Sequence, residues 1–296
     1  MIPYVIIEPI EIGPLVLQPF GLLVALGVII GIRLATARSV RVGLDPASMT
    51  SFITCILVGG FVAAHVLDSI FYHPHEVLTR PWTLLVLWGG LSSFGGFIGA
   101  TAGAFAWKYY TTRPAFELGS VAFHLPKRRD RPVTLMRYVD VVIAVFPVAW
   151  IFGRAGCAVV HDHPGARAAS NSWLSVAYGA GPSSSFGPLQ LRFGVEPRYD
   201  LGRLEMLFAS VLAAAFAATW RRDSSRGWYV VAASVAYAPV RFALDFLRVG
   251  DPEGGDLRYA SLTPAQWACI GLFGFGIWVA ARIAHATGDA AKEAEG

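Results

Sequence analysis

The sequence predicts an all-α integral membrane protein with seven transmembrane helices, and composition, segment length and charge distribution support this prediction. Of the 296 residues, 55% are hydrophobic and only 15% are charged, whereas soluble domains contain about 25% charged residues. The mean hydropathy is +0.52. A soluble protein of this length could not cover its surface with so few charges, and the abundant apolar residues exclude a disordered chain.

Seven segments are apolar over about the 20 residues that a helix needs to cross a bilayer. They are residues 14–36, 51–72, 83–107, 139–160, 204–220, 228–247 and 264–283. No repeat or low-complexity tract separates them, so we expect one polytopic membrane domain over residues 1–296. Residues 1–13 lack the basic residues of a signal peptide, and the first apolar segment is therefore expected to be a retained anchor.

The distribution of basic residues orients these segments. The first, third and fifth connectors hold Arg38, Arg41, Arg113, Lys127, Arg128, Arg129, Arg131, Arg137, Arg221, Arg222 and Arg226. The N-terminal arm and the second connector offer only Arg80. Because basic loops stay in the cytoplasm, we expect the N-terminus outside and a cytoplasmic tail at 284–296. The fourth connector, 161–203, is then a small extramembrane cap on the outer side, with a strand at 189–195. The net charge of +4 follows from this topology and does not indicate nucleic-acid binding.

Polar side chains within the apolar segments gather near their outer ends. They are Gln18, His65, Asp68, Ser92, Ser93, Arg154, Glu205, Arg241, Asp245, Arg248 and Gln266. Ionisable residues in hydrocarbon are unfavourable and usually mark a functional site. A channel or pump would be expected to carry polar groups through its whole depth, so this one-sided distribution favours a site open to the outer leaflet of the bilayer.

Three arginines in these outer halves suit an anionic ligand. Arg241, Asp245 and Arg248 share one face of a helix, which alone could be an ion pair that holds the helix in the bundle. Arg154, on another helix, and Glu205 lie near the same depth. Guanidinium groups match phosphate oxygens in geometry, and phosphate is the anion that lipids carry.

Other patterns have simpler interpretations. Gly95, Gly99 and Gly103 repeat every four residues, which is typical of close helix packing. The three cysteines form no CxxC pair, and two histidines with one aspartate at 161–163 are a weak ligand set, so the sequence supports neither a disulfide framework nor a metal site.

Four segments resemble signature segments of the prolipoprotein diacylglyceryl transferase family, in the same order along the chain. Residues 89–99 (GGLSSFGGFIG) resemble G-G-x-S-x-H-G-G-x-I-G, and residues 153–165 (GRAGCAVVHDHPG) resemble G-R-x-G-N-x-x-N-x-E-x-x-G. Residues 241–248 (RFALDFLR) resemble R-F-x-x-E-x-x-R, and residues 263–266 (TPAQ) match T-x-x-Q. With the seven helices and the outside N-terminus, the resemblance covers nearly the whole chain.

The resemblance implies an enzyme of the bacterial cytoplasmic (inner) membrane. Its partners would be phosphatidylglycerol, lipobox-containing preprolipoproteins and the lipid bilayer, and it would use no metal or soluble cofactor. The diacylglyceryl group would pass to the lipobox cysteine thiol, and glycerol phosphate would leave. The residues expected to bind substrate are Arg154, Arg241, Arg248, Glu205, Gln266, Gly95, Gly96 and Gly165.

The chain departs from the family where the thiol would be activated. Phe94 replaces a histidine, Cys157 and Val160 replace asparagines, Asp162 and Asp245 replace glutamates, and Phe20 and Leu204 replace tyrosines. The anion-holding arginines Arg154 and Arg241 are retained, and Asp245 keeps the acidic charge on a shorter side chain, so these three residues remain the first catalytic candidates. We expect His161 or His163, with Asp162 beside them, to supply a base; alternatively, this segment is an interfacial turn.

Two functions remain open from the sequence. The chain is a transferase with diverged activation chemistry, or a non-catalytic paralogue that binds anionic phospholipid or lipoprotein precursors. A retinal protein is disfavoured because residues 264–283 contain no lysine, and a transporter is disfavoured by the apolar inner halves.

Overall fold

The computed structural model describes residues 1–13, 15–86, 90–118, 121–161, 163–169, 172–186, 188–221, 227–249 and 258–295, and it is mostly helical. The α-helices are α1 (Pro19–Arg41), α2 (Pro46–Tyr72), α3 (Pro74–Thr79), α4 (Ser93–Tyr109), α5 (Leu135–Val160), α6 (Leu201–Ala218), α7 (Trp228–Asp245) and α8 (Pro264–Glu295). The strands are β1 (Ile2–Ile7), β2 (Ile10–Ile12), β3 (Leu15–Leu17), β4 (Tyr110–Leu118), β5 (Val121–Arg128), β6 (Pro164–Arg167), β7 (Ser175–Tyr178), β8 (Ser183–Phe186), β9 (Leu189–Arg192) and β10 (Glu196–Asp200).

Among the described residues, five helices are long and apolar enough to cross a membrane. They are α1, α2, α5, α6 and Pro264–Ala286 within α8. These helices support an integral membrane protein. Helices α4 and α7 overlap the two other predicted segments, and their membrane crossing stays a prediction.

The third predicted segment begins too early in the sequence. A short 3-10 helix, Pro81–Leu85, occupies its start, and α4 begins only at Ser93. The side chain of Ser92 accepts a hydrogen bond from the backbone of Gly95 at 3.4 Å and so caps the helix. Apolar composition alone did not reveal this boundary.

The described part of the chain forms two compact units. The first unit comprises Met1–Ala35 and Val139–Gly296, and the second comprises Thr36–Tyr138.

The second unit is built on the pairing of α2 with α4. A β-carbon added at Gly99 would overlap the carbonyl oxygen of Gly59, and one added at Gly95 would lie 2.5 Å from the carbonyl oxygen of Ala63. The two backbones are therefore in direct contact, which confirms the packing predicted from the glycine spacing. Asp45 caps the start of α2 by accepting from the backbone of Ser48 at 2.8 Å.

The first unit combines helices with a six-stranded sheet. The strand order is β6-β10-β7-β1-β9-β8, and all neighbours are antiparallel except β1 with β7. Strand β9 falls within the predicted strand at 189–195. The N-terminal strand β1 lies inside the sheet between β7 and β9. The all-α prediction was wrong in this part of the chain, because the cap is a sheet and includes the N-terminal residues.

The helical part of the first unit packs around a small apolar cluster. Ala144 of α5, Phe216 of α6 and Tyr229 of α7 are almost fully buried and in contact. Asp140 of α5 accepts a hydrogen bond at 3.1 Å from the backbone of Val230, in the first turn of α7. A carboxylate at a helix N-terminus is stabilised by the helix dipole, so this contact joins α5 to α7.

Candidate functional site

An acidic residue of α6 joins two arginines from different helices. Glu205 is 3% exposed, and its carboxylate contacts Arg154 Nε of α5 at 2.8 Å and Arg241 Nε of α7 at 3.0 Å. Tyr237, one helical turn before Arg241, donates its hydroxyl to the same carboxylate at 3.3 Å. The sequence placed these charges near one depth, and the structure brings them into contact.

The second carboxylate of the network lies one turn further along α7. Asp245 is fully buried, and its Oδ1 contacts Arg241 Nη1 at 2.6 Å and Arg248 Nη1 at 3.9 Å. The spacing of four residues on one helix face makes the first pair possible. The ion pairs therefore run from Arg154 through Glu205, Arg241 and Asp245 to Arg248.

The start of α8 fixes Asp245 from the other side. Thr263 donates its hydroxyl to Asp245 Oδ2. Gln266 is fully buried; its side-chain oxygen accepts from the backbone of Thr263 at 3.0 Å, and its amide donates to the carbonyl of Phe242 at 3.2 Å. Gln266 thus ties the start of α8 to α7, and every polar atom of its amide group faces protein.

The network carries a positive charge in an apolar setting. Among the described residues, its three guanidinium groups and two carboxylates add up to one net positive charge. Isolated charges are strongly unfavourable in a membrane interior, and the two carboxylates remove most of that penalty while they hold the arginine planes in place. The remaining positive charge favours an anion, and guanidinium donors suit phosphate oxygens.

Gly165 joins the cap to the end of α7. An added β-carbon would lie 2.8 Å from the carbonyl of Tyr199 in β10 and 2.9 Å from the carbonyl of Leu247. The backbone of Ala166 donates to the same Leu247 carbonyl at 2.6 Å. Only glycine permits this approach, because it has no β-carbon. Close packing is therefore enough to explain a glycine at position 165, and direct substrate binding by Gly165 stays a prediction.

His161 lies inside the cap. Nδ1 is 2.8 Å from Asp200 Oδ2, Nε2 is 2.8 Å from the carbonyl oxygen of Val5, and the ring stacks on Tyr4 with centroids 3.6 Å apart. Tyr178 donates its hydroxyl to Asp200 at 3.0 Å. Burial raises the pKa of Tyr4, so its hydroxyl stays neutral. Both nitrogens of His161 face acceptors within the protein, and this cluster ties β1 to the cap.

His163 is joined through its backbone to the start of α6. The backbone carbonyl of His163 accepts from the backbone of Leu201 at 3.2 Å, and its side chain is half-buried. Asp162 lies outside the described residues.

Gly95 and Gly96 lie in α4 of the second unit. Gly95 is buried against the backbone of α2. A β-carbon at Gly96 would meet only Ala64, at 4.0 Å, while Phe94 is 48% exposed. Substrate binding by the two glycines stays a prediction.

Sequence reasoning missed several residues around the arginines and in the cap. Thr263 belongs to the T-x-x-Q segment, and Tyr237 and Asp200 belong to none of the four family segments. The position of Tyr237, four residues before Arg241 on one helix face, could have identified it. No local signal pairs Asp200 with His161, because 39 residues separate them.

Comparison with known proteins gives a consistent result. The family model for prolipoprotein diacylglyceryl transferase matches residues 8–282. The protein named phosphatidylglycerol–prolipoprotein diacylglyceryl transferase in Nitratidesulfovibrio vulgaris is 30% identical, and the alignment covers 95% of this chain and 96% of that protein. Proteins of the same name in Azospirillum brasilense (27% identical, 93% of this chain and 94% of that protein) and Chromohalobacter salexigens (24% identical, 90% and 88%) are also similar. The chain belongs to the prolipoprotein diacylglyceryl transferase family.

Proposed function

We propose that this protein transfers the diacylglyceryl group of phosphatidylglycerol to the thiol of a lipobox cysteine in a preprolipoprotein. The observation that carries the proposal is the network of three arginines around two buried carboxylates, which offers guanidinium donors to a phosphate. The names of the relatives agree with it.

The reaction exchanges one bond for another. The cysteine sulfur forms a bond to the terminal glyceryl carbon, the bond from that carbon to the phosphate oxygen breaks, and glycerol phosphate leaves. The thiol proton passes to a base and then to the released phosphate. Arg154 and Arg241 bind the phosphodiester and stabilise the charge that develops on the leaving oxygen. Arg248 adds positive charge, and Glu205, Asp245 and Gln266 hold these groups in place.

A base is needed because a free thiol is only a few per cent ionised at neutral pH. We propose His163, with Asp162 beside it, for this role. His163 immediately precedes β6, whose Gly165 pairs with Arg248. The contacts of His161 with Asp200 and Val5 favour a structural role for that residue instead.

The proposed topology follows the distribution of basic residues. Seven helices cross the bacterial inner membrane, with the N-terminus and the cap outside and the reaction at the outer leaflet. Ser184 in β8 is exposed, so a Ser184→Cys variant should react with a membrane-impermeant thiol reagent added to intact spheroplasts. Protection until the membrane is broken would contradict this orientation.

Transfer is tested directly with purified protein in phosphatidylglycerol vesicles. A lipobox peptide should gain the mass of a diacylglyceryl group, and a peptide with serine in place of cysteine should not. Arg154→Ala and Arg241→Ala each remove a charge-assisted phosphate contact worth about 1.5–3 kcal/mol, so transfer should fall at least tenfold.

The matched control is Arg282→Ala, because Arg282 is an exposed residue of α8 whose guanidinium lies over the exposed ring of Trp278 at 5.1 Å. It should retain transfer. If the unmodified protein binds phosphatidylglycerol but produces no mass shift, the transferase proposal fails and the protein is a lipid-binding paralogue.

A further inference from the structure

Arg154 is held from several sides. Its Nε contacts Glu205, its Nη1 lies 3.8 Å from the sulfur of Cys157, and its guanidinium carbon lies 4.6 Å from the ring centre of Trp150. Trp150 and Arg154 are four residues apart on α5, which places them on one face of the helix. The indole therefore lies against the guanidinium group proposed to bind phosphate.

The indole nitrogen of Trp150 is buried and makes no hydrogen bond to any described residue. A buried tryptophan N–H normally finds a partner, and leaving a buried donor unsatisfied costs about 1–3 kcal/mol. Stacking on Arg154 does not satisfy it, because the guanidinium lies over the ring face while the N–H points along the ring plane. The donor therefore belongs to the ring that stacks on Arg154, and it has no acceptor among the described residues.

We propose that Trp150 Nε1–H donates a hydrogen bond to a phosphodiester oxygen of the anionic lipid that Arg154 binds. A phosphodiester has two non-bridging oxygens that share one negative charge, so one lipid can accept from the guanidinium and from the indole. The stacked ring also fixes the guanidinium plane through a cation–π contact. The inference rests on the proposed function only in that the ligand is phosphatidylglycerol; it does not require transfer to occur.

The direct test observes the indole proton of the unmodified protein. The protein is labelled with 15N at its tryptophan indoles and studied by NMR in detergent micelles, and the Trp150 signal is identified by its loss in Trp150→Phe. Short-chain phosphatidylglycerol should move this signal downfield, because the N–H gains an anionic acceptor. Short-chain diacylglycerol, which lacks the phosphate, should leave it in place. A Trp150 signal that does not move at saturating phosphatidylglycerol overturns the proposal.

The functional test separates the N–H from the ring. Trp150→Phe keeps an aromatic face for Arg154 but removes the donor, and it should weaken phosphatidylglycerol binding and raise KM about tenfold, with a smaller change in kcat. The matched control is Trp278→Phe, since Trp278 also stacks on an arginine, Arg282 at 5.1 Å, but is 53% exposed. The control should bind normally.

The outcomes separate the two proposals. Equal binding by Trp150→Phe and the unmodified protein overturns the role of Trp150 while transfer stands. A shifted indole signal without any transfer to the lipobox peptide supports the role of Trp150 and refutes the transferase.

Discussion

Glu205 lies between two arginines, and its replacement by glutamine tests how strongly its charge stabilises the protein. The carboxylate contacts Arg154 at 2.8 Å and Arg241 at 3.0 Å, and the two arginine side chains are only 14% and 11% exposed. Glu205→Gln keeps the shape and one acceptor oxygen but removes the negative charge. Breaking a buried ion pair destabilises a protein by about 3–5 kcal/mol, and water does not replace the carboxylate because Glu205 is only 3% exposed. We expect the free energy of unfolding to fall by about 3 kcal/mol.

The matched control uses a longer ion pair in the same unit, whose acid is exposed. Glu196 contacts Arg198 at 3.7 Å and is 51% exposed. Exposed pairs contribute about 0–1 kcal/mol, so Glu196→Gln should unfold almost like the unmodified protein. Both variants are compared by unfolding in detergent micelles. Equal stability of Glu205→Gln and Glu196→Gln would refute the conclusion that the buried ion pairs of Glu205 hold α5, α6 and α7 together.

Adding lipid extends the same experiment. Glu205→Gln removes one of the two negative charges that the described residues place among the three arginines. A bound anion supplies the missing negative charge, and a ligand that binds only the folded state stabilises it. Short-chain phosphatidylglycerol should therefore raise the unfolding midpoint of the variant more than that of the unmodified protein. An identical rise would show that the anion does not bind at this network.

Three further predictions concern packing and stability. Gly99→Ala should destabilise the protein by about 1–3 kcal/mol in unfolding experiments, because its β-carbon would overlap the backbone of α2; Gly271→Ala, at a helical glycine with open space around it, is the control and should not. Hydrogen bonds from Ser48 lower the pKa of Asp45 below its usual 3.8. The stability that Asp45 adds by capping α2 is therefore present above pH 3.8, and it is lost as the pH falls through the lower pKa that Asp45 has in the folded protein. The stability difference between the unmodified protein and Asp45→Ala should therefore shrink in acid, and a constant difference would contradict the pKa shift. Asp200→Asn should weaken the cap by about 1.5–3 kcal/mol, seen as faster limited proteolysis; unchanged cleavage would show that the charge at this position is not needed.

The helices were predictable because each depends on a local property. Apolar segments of bilayer length located α1, α2, α5, α6 and α8 to within a few residues at most ends. The third segment failed because Pro81–Leu85 is as apolar as the helix that follows it, and only the Ser92 cap marks where α4 begins. Hydropathy measures burial in lipid and does not report backbone geometry.

The sheet was not predictable from local pattern. Strand β8 is short and fully exposed, so it has no alternation of apolar and polar residues. In the sequence, β1 has no feature that distinguishes it from an unpaired N-terminal arm. Its partner strands are β7 and β9, and Ile2 pairs with Val176, more than 170 residues further along the chain. Pairing over that distance depends on the assembled fold. The burial of His161 depends on the same pairing, because its ring contacts Val5 of β1, and no local pattern in the sequence reveals it.

The residues of the arginine site were predictable, but their order in the network was not. Charge and depth identified Arg154, Glu205, Arg241 and Asp245, since charged groups in apolar segments are rare. Which carboxylate contacts which arginine depends on how α5, α6 and α7 pack. The sequence also could not show that Thr263, at the start of α8, would donate to Asp245.

Two buried carboxylates in a site for an anion have a physical explanation. Three arginines without partners would repel one another and would need to be ordered when the lipid arrives, whereas Glu205 and Asp245 hold them in place beforehand. The acids also reduce the net charge to +1, and this matters because the proposed product, glycerol phosphate, is itself an anion that must leave. Asp245 has a shorter side chain than the family's glutamate, yet it lies 2.6 Å from Arg241 and 3.9 Å from Arg248. Asp245 therefore binds the central arginine, Arg241, more closely than it binds Arg248.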